Sequence, residues 1–210
     1  MSRESKLALF LLASFVVVFI WSLINPRDRF TWFLEVAPAV IGPIILAATY
    51  SRFRFTSLAY MLMWLHAMIL LVGGHYTYAE VPLFNWIRDA FELSRNHYDR
   101  IGHFAQGFVP AIVTRELLVR TSPLKSGGWL FLVTVAICLA ISATYELFEW
   151  GVALATGSAA DAFLGTQGDV WDTQADMALA LLGALISLLT LGRVHDEILK
   201  GLPPQKRASG

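Results

Sequence analysis

The sequence predicts an all-α integral membrane protein: a helical bundle of about six transmembrane helices with one short helix lying in the interface. Three observations lead there. Of 210 residues, 56% are hydrophobic and only 15% are charged, and a mean hydropathy of +0.58 means more apolar surface than a soluble globule of this length can bury. The apolar residues gather in separate runs close to the ~20 residues that cross a bilayer as a helix. Lys+Arg and Asp+Glu balance at 16 each, which removes the electrostatic basis for nucleic-acid binding, and the composition is neither disordered nor collagen-like.

The first run, 7–24, is interrupted only by Ser14 and Ser22 and ends at Asn25-Pro26-Arg27 without a small-residue cleavage pattern. It reads as an uncleaved span and not as a signal peptide. The second, 30–50, carries Glu35, Pro38 and Pro43; prolines kink a membrane helix, and its neighbours satisfy the freed carbonyls. The third, 57–74, holds one ionisable residue, His66.

Next come Leu83, Phe84, Ile87, Ala90 and Phe91 at helical spacing, with Arg88, Asp89 and Glu92 turned elsewhere. That pattern predicts the interfacial helix, anchored by Trp86. The stretch 101–119 has 11 apolar residues in 19, together with His103, Gln106, Pro110, Arg115 and Glu116. Hydropathy alone does not establish a crossing there, and a span would have to be shielded by its neighbours. The runs 129–148 and 176–192 are clear, and Ala178, Ala180, Gly183 and Ala184 in the last allow close helix packing. The chain is thus read as a single multi-pass domain, 1–210, ending in a cytoplasmic tail at 193–210 whose last residues, 203–210, form a solvated basic end.

If 101–119 crosses, both termini share a side that holds 11 of the 16 basic residues, against the five at Arg27, Arg29, Arg88, Arg95 and Arg100. The positive-inside rule then places both termini in the cytoplasm. A five-span alternative, with the amino terminus outside, satisfies the charge count equally well. Six spans are preferred because Arg3 and Lys6 flank the first helix and because the unusual polar residues then gather on one face.

Those polar residues come from four segments: 73–80, 96–108, 145–150 and 165–176. Asp99 and His103 are four apart, His103 and Gln106 three, and Glu146 and Glu149 three, while Asp169, Asp172 and Asp176 stand at i, i+3 and i+7. Each set can share a helical face. An ionisable residue in a membrane helix is costly unless paired or wet, and marks a functional site by default.

Asp99, His103, Glu149 and Asp172 are the expected catalytic groups. Asp99, His103, Glu146, Glu149, Asp169, Asp172 and Asp176 form the candidate ligand set for a divalent metal, whose bound water attacks an ester or phosphoester. Arg100 is expected to hold an anionic group, with Gln106, Tyr145 and Gln167 completing substrate binding. Without metal, the same carboxylates beside histidine shift one another's titration and relay protons.

Plainer roles stand beside these. Glu146 and Glu149 also fit a helix ending at the headgroups, and Asp169 with Asp172 fits an N-cap and first turn. His75 and His97 fit surface or hydrogen-bonding histidines, and His66 a bond to a neighbouring helix. Arg115 and Glu116 fit the cytoplasmic interface, Arg120 and Lys125 topology signals, and Cys138 a small core residue. As the only cysteine, Cys138 excludes an intramolecular disulfide and a cysteine metal cage.

The segments Gly74-His75-Tyr76-Thr77-Tyr78, Tyr98-Asp99-Arg100-Ile101-Gly102-His103-Phe104, Tyr145-Glu146-Leu147-Phe148-Glu149-Trp150 and Gly168-Asp169-Val170-Trp171-Asp172-Thr173-Gln174-Ala175-Asp176-Met177 together resemble the bacterial inner-membrane YjdF-like family of multi-pass proteins. More distantly, the 99–104 element and the Asp-rich entry to the last span look like VanZ-like membrane proteins. That pattern usually has Lys where Arg100 stands, and an Asn with no clear counterpart after Asp176. The resemblance implies a six-span inner-membrane protein and brings no established reaction.

Two functions are therefore expected. One is a membrane enzyme acting on a lipid or lipid-linked headgroup, with membrane lipids as partners and a divalent metal as the candidate cofactor. The other is a non-catalytic carrier or a binding and assembly factor of the cell envelope, with the prolines of the second span and Pro110 permitting broken helices near a solvated cavity. The absence of a G-x-x-x-x-G-K-[ST] pattern places nucleotide-driven transport and kinase chemistry low.

Overall fold

The computed structural model describes residues 2–202, so the basic end expected at 203–210 lies outside the described residues. Among the described residues, eight α-helices follow one another: α1 Arg3–Leu23, α2 Arg29–Thr49, α3 Ser57–Tyr76, α4 Pro82–Ala90, α5 Tyr98–Thr121, α6 Gly128–Thr156, α7 Asp161–Leu164 and α8 Asp172–Lys200. A 3-10 turn, Gly157–Ala160, joins α6 to α7. No strand occurs among the described residues.

The helix starts carry local signals. Ser2, Asp28 and Thr56 accept from the backbone N–H of Ser5, Thr31 and Ala59 at the heads of α1, α2 and α3, which satisfies donors that a helix leaves open. Pro82 opens the short α4, where its missing N–H costs nothing. Leu83, Trp86 and Phe91 in and just after α4 are exposed, as an interfacial helix requires. Both α2 and α5 run unbroken through Pro38, Pro43 and Pro110, so the prolines do not create broken helices.

Among the described residues, five helices, α1, α2, α3, α6 and α8, are long and apolar enough to cross a membrane. The 24 residues of α5 are about 36 Å of helix, sufficient for a hydrocarbon layer of about 30 Å. It is also the central helix, packed against α3, α6 and α8. At its start Arg100 pairs with Asp176 near the start of α8, and at its far end Arg115 pairs with Asp196 near the end of α8. The two helices therefore run parallel through the same layer. Glu146, late in α6, faces His103 early in α5, whereas Ser126, just before α6, bonds Arg115. So α6 runs the opposite way. The alternation continues through α3, whose start meets Glu116 and whose Ile69 carbonyl accepts from the Tyr98 hydroxyl.

Small residues set the α5–α8 approach. A Cβ on Gly107 would overlap the Ala180 carbonyl, and one on Gly183 would overlap the Phe104 carbonyl and the Phe108 amide. Ala180, Gly183 and Ala184 are buried, as close packing requires, while Ala178 is exposed. Cys138 sits in the core with Ala111, Ala184 and Leu188. Around the bundle, Phe10, Val17, Phe33, Ile44, Leu132 and Leu189 are exposed, the surface a lipid-facing protein presents.

Candidate functional site

One end of the bundle gathers charged side chains from α2, α5, α6, α8 and the segments between them. On α5, Asp99 and His103 stand one turn apart and both are buried; Gly102 between them lets the Tyr78 ring pack where a Cβ would stand. Tyr78 follows the end of α3 in a left-handed turn, with φ 59° at Thr77 and 54° at Tyr78.

The His103 ring presents its two nitrogens to different partners. Nε2 lies 3.4 Å from Asp99 Oδ1 and 3.8 Å from Asp176 Oδ2, whereas Nδ1 lies 3.3 Å from Gln106 Oε1 and 3.7 Å from Glu146 Oε1. Two triads result, Asp99–His103–Asp176 and His103–Glu146–Glu149, each with its ligand atoms within 4.8 Å of one another. All five residues are buried. Nitrogen and oxygen donors in this number suit a divalent first-row metal or Mg²⁺.

Arg100 donates from Nη2 to Asp169 Oδ2 at 2.7 Å and Asp172 Oδ1 at 3.0 Å, and from Nη1 to Asp176 Oδ1 at 2.7 Å and the Asp172 carbonyl at 3.3 Å. Its guanidinium is thus engaged by this chain's own acceptors. Gln167 likewise spends its amide on Asn96, donating to the Asn96 carbonyl and accepting its N–H, each at 2.9 Å. Asp169 combines pairing with a turn role, accepting from the Trp171 N–H at 2.9 Å. The Tyr145 hydroxyl donates to Glu35 Oε2 at 3.3 Å. His75 stands apart from this cluster, its Nδ1 lying 3.1 Å from the Ser22 carbonyl; His97, half-buried, precedes α5, and His66 on α3 lies within electrostatic range of His103.

Two members escaped the sequence reading. Arg95, counted there only as a loop charge, is 6% exposed and donates to Asp172 at 2.5 Å, Asp169 at 3.5 Å, Asp99 at 3.4 Å and the Gly165 carbonyl at 3.1 Å. Its i, i+4 relation to Asp99 was the available signal. Glu35, noted only as part of a span, is buried beside Tyr145 and within electrostatic range of Asp99 and His103. A carboxyl in an apolar run needs such partners.

The balance of charge is uneven. Glu35, Asp99, Glu146, Glu149, Asp169, Asp172 and Asp176 face two guanidiniums and one imidazole. Burying this surplus is costly unless protons or a bound cation offset it. Glu146 Oε1 and Arg95 Nε are buried without a hydrogen-bond partner.

At the opposite end, Arg115 and Glu116 are turned into the bundle and not toward its surface. They are buried at 6% and 0% exposure in a second network with Thr56, Arg120, His195 and Asp196.

The sequence model of a family described as "Predicted membrane protein (DUF2238)" matches residues 7–197. Inner membrane protein YjdF of Escherichia coli (strain K12) is 49% identical over 184 residues, which cover 88% of each chain. No solved structure matches. With five long apolar helices and this relationship, the chain is a multi-pass protein of the inner membrane, and it belongs to the DUF2238 membrane protein family.

Proposed function

We propose that the protein is a divalent-cation-dependent enzyme acting on the phosphate- or ester-linked headgroup of a membrane lipid or lipid-linked molecule at the outer leaflet. One observation carries the reading: the His103 ring stands among four buried carboxyl groups in two overlapping triads of ligand-bearing residues. The exposed Trp150 and Trp171 are the chain neighbours of Glu149 and Asp172, and aromatic residues of this kind mark headgroup level. His103 and the carboxyl groups around it would hold the cation, which would supply Lewis-acid polarisation of a phosphoryl or carbonyl oxygen and a more acidic water; a neighbouring carboxylate would accept the proton. The excess of basic residues at the end holding both termini supports a cytoplasmic location for that end, so that the His103 cluster faces the outer leaflet.

The test is metal analysis of purified protein, wild type against His103→Ala, with headgroup release measured on vesicles of defined lipid. Stoichiometric metal and release in the wild type, both lost in the variant with membrane insertion intact, are the expected results. Equal metal content in the two proteins would reject the reading. One observation favours a second: the carboxyl cluster extends through Tyr145 to Glu35 on α2, which suits a proton-coupled carrier or a solute-binding factor. Solute flux coupled to a proton gradient in reconstituted vesicles, without headgroup release, would replace the first reading with this one.

A further inference from the structure

The carboxylates around His103 differ in what already offsets their charge. On the α8 side, Asp99 Oδ2 stands 3.4 Å from Arg95, Asp172 Oδ1 stands 2.5 Å from Arg95 and 3.0 Å from Arg100, and Asp176 Oδ1 stands 2.7 Å from Arg100. On the α6 side, no arginine or lysine among the described residues pairs with Glu146 or Glu149, and the only ion-pair partner of either is His103. Glu146 is 6% exposed and Glu149 8%. Glu146 Oε1 is buried with no hydrogen-bond partner and is directed at His103 Nδ1 from 3.7 Å.

The ring has a matching polarity. A metal-bound histidine donates its remaining N–H to a carboxylate or carbonyl, which fixes the tautomer. Asp99 Oδ1 faces Nε2 at 3.4 Å while its other oxygen faces Arg95, so this aspartate is placed to receive the Nε2 proton. The Nδ1 lone pair then points toward Glu146 and the Gln106 oxygen, and Glu149 offers a carboxylate oxygen within 4.8 Å of a His103 nitrogen and of Glu146. A cation on the Nε2 side would instead lie against carboxylates that Arg95 and Arg100 already neutralise.

Building on the metal-dependent reading above, we propose that the divalent cation is held on the glutamate side of the ring by His103 Nδ1, Glu146 and Glu149, with Gln106 Oε1 alongside. Asp99 is then a positioning residue acting through Nε2, and the arginine-bound aspartates fasten α5 to α8.

The test uses full-length protein in detergent, loaded with zinc and labelled with ¹⁵N-histidine. In the wild type, His103 Nδ1 should take the metal-bound shift while Nε2 keeps its proton, a readout that needs no variant. Glu146→Gln and Glu149→Gln should each weaken zinc binding by about tenfold or more, and Asp99→Asn by about 10–100-fold with loss of the single tautomer. Asp176→Asn should keep zinc affinity within about threefold, because its carboxylate is an arginine partner and not a ligand. Zinc on Nε2, or zinc lost in Asp176→Asn and retained in Glu146→Gln, would overturn the assignment while leaving a metal-dependent enzyme standing. A wild-type protein that binds neither zinc nor manganese would overturn both.

Discussion

Arg95 Nη1 stands 2.5 Å from Asp172 Oδ1, fastening the segment before α5 to the first residue of α8. Both side chains are almost fully buried, at 6% and 8% exposure. Removing one member of such a pair leaves a charge without compensation in a poorly solvated site, a loss of about 3–5 kcal/mol. Arg95→Met is therefore expected to lower stability by about that amount in thermal unfolding in detergent. The exposed Arg27–Glu80 pair is nearly as short, 2.7 Å, but its side chains are 64% and 46% exposed. Arg27→Met should change stability by about 0–1 kcal/mol. Equal effects at the two sites would show that burial does not govern these pairs.

The approach of α5 and α8 makes a second contrast. Gly183 faces backbone, the Phe104 carbonyl and the Phe108 amide, and backbone cannot rotate aside as a side chain can. Gly183→Ala should force the helices apart at a cost of about 1–3 kcal/mol or more. Gly42 on α2 has nothing within 4 Å of its Cβ position, and Gly42→Ala should be neutral or stabilising by up to about 1 kcal/mol. Comparable melting of the two variants would refute the packing account.

These contrasts also show what the sequence could and could not disclose. Helices that meet lipid announce themselves as apolar runs, and all five such runs are helices. Hydropathy left the crossing of 101–119 open because this helix packs against α3, α6 and α8 and turns polar residues toward them, so much of its surroundings is protein and not hydrocarbon. Residues spaced three or four apart on one helix, such as Asp99 with His103, could be grouped in advance because helix geometry alone brings them together. Arg95 precedes the helix, and its partners Asp169 and Asp172 lie 74 and 77 residues away; only the tertiary fold joins them. Glu35 had no companion on its own span. Arg115 and Glu116 resembled interfacial charges because their partner His195 is 80 and 79 residues distant.

The parallel course of α5 and α8 requires residues 94 and 125 to lie on opposite faces of the membrane. Ser94 and Lys125 are exposed, and Cys138, the native cysteine, is buried at 0% exposure and gives little background. A membrane-impermeant maleimide applied to whole cells should label Ser94→Cys and leave Lys125→Cys unlabelled until the membrane is permeabilised. Labelling of both in intact cells would mean that α5 does not cross and would dissolve the six-span topology.

Glu116 Oε2 and His195 Nε2, both on fully buried side chains, are 3.1 Å apart in the network at the opposite end. Arg115 Nη1 lies 3.1 Å from His195 Nδ1, and a guanidinium can only donate. Nδ1 must therefore accept, which leaves the proton on Nε2, donated to Glu116. The same carboxylate accepts from the Thr56 N–H at 2.9 Å, the Thr56 hydroxyl at 2.7 Å and Arg120 at 2.5 Å, so it ties the start of α3 to α5 and α8. His195→Ala should cost about 1–3 kcal/mol, because it strips partners from two buried groups. Glu116→Gln should cost about 3–5 kcal/mol, because it leaves Arg120 without its anion and turns an amide donor toward other donors. The ¹⁵N spectrum of His195 should show the neutral Nε2–H tautomer. An imidazolium signal at neutral pH would break the chain of donors and acceptors from Arg115 to Glu116, and the ranking of the two variants would go with it.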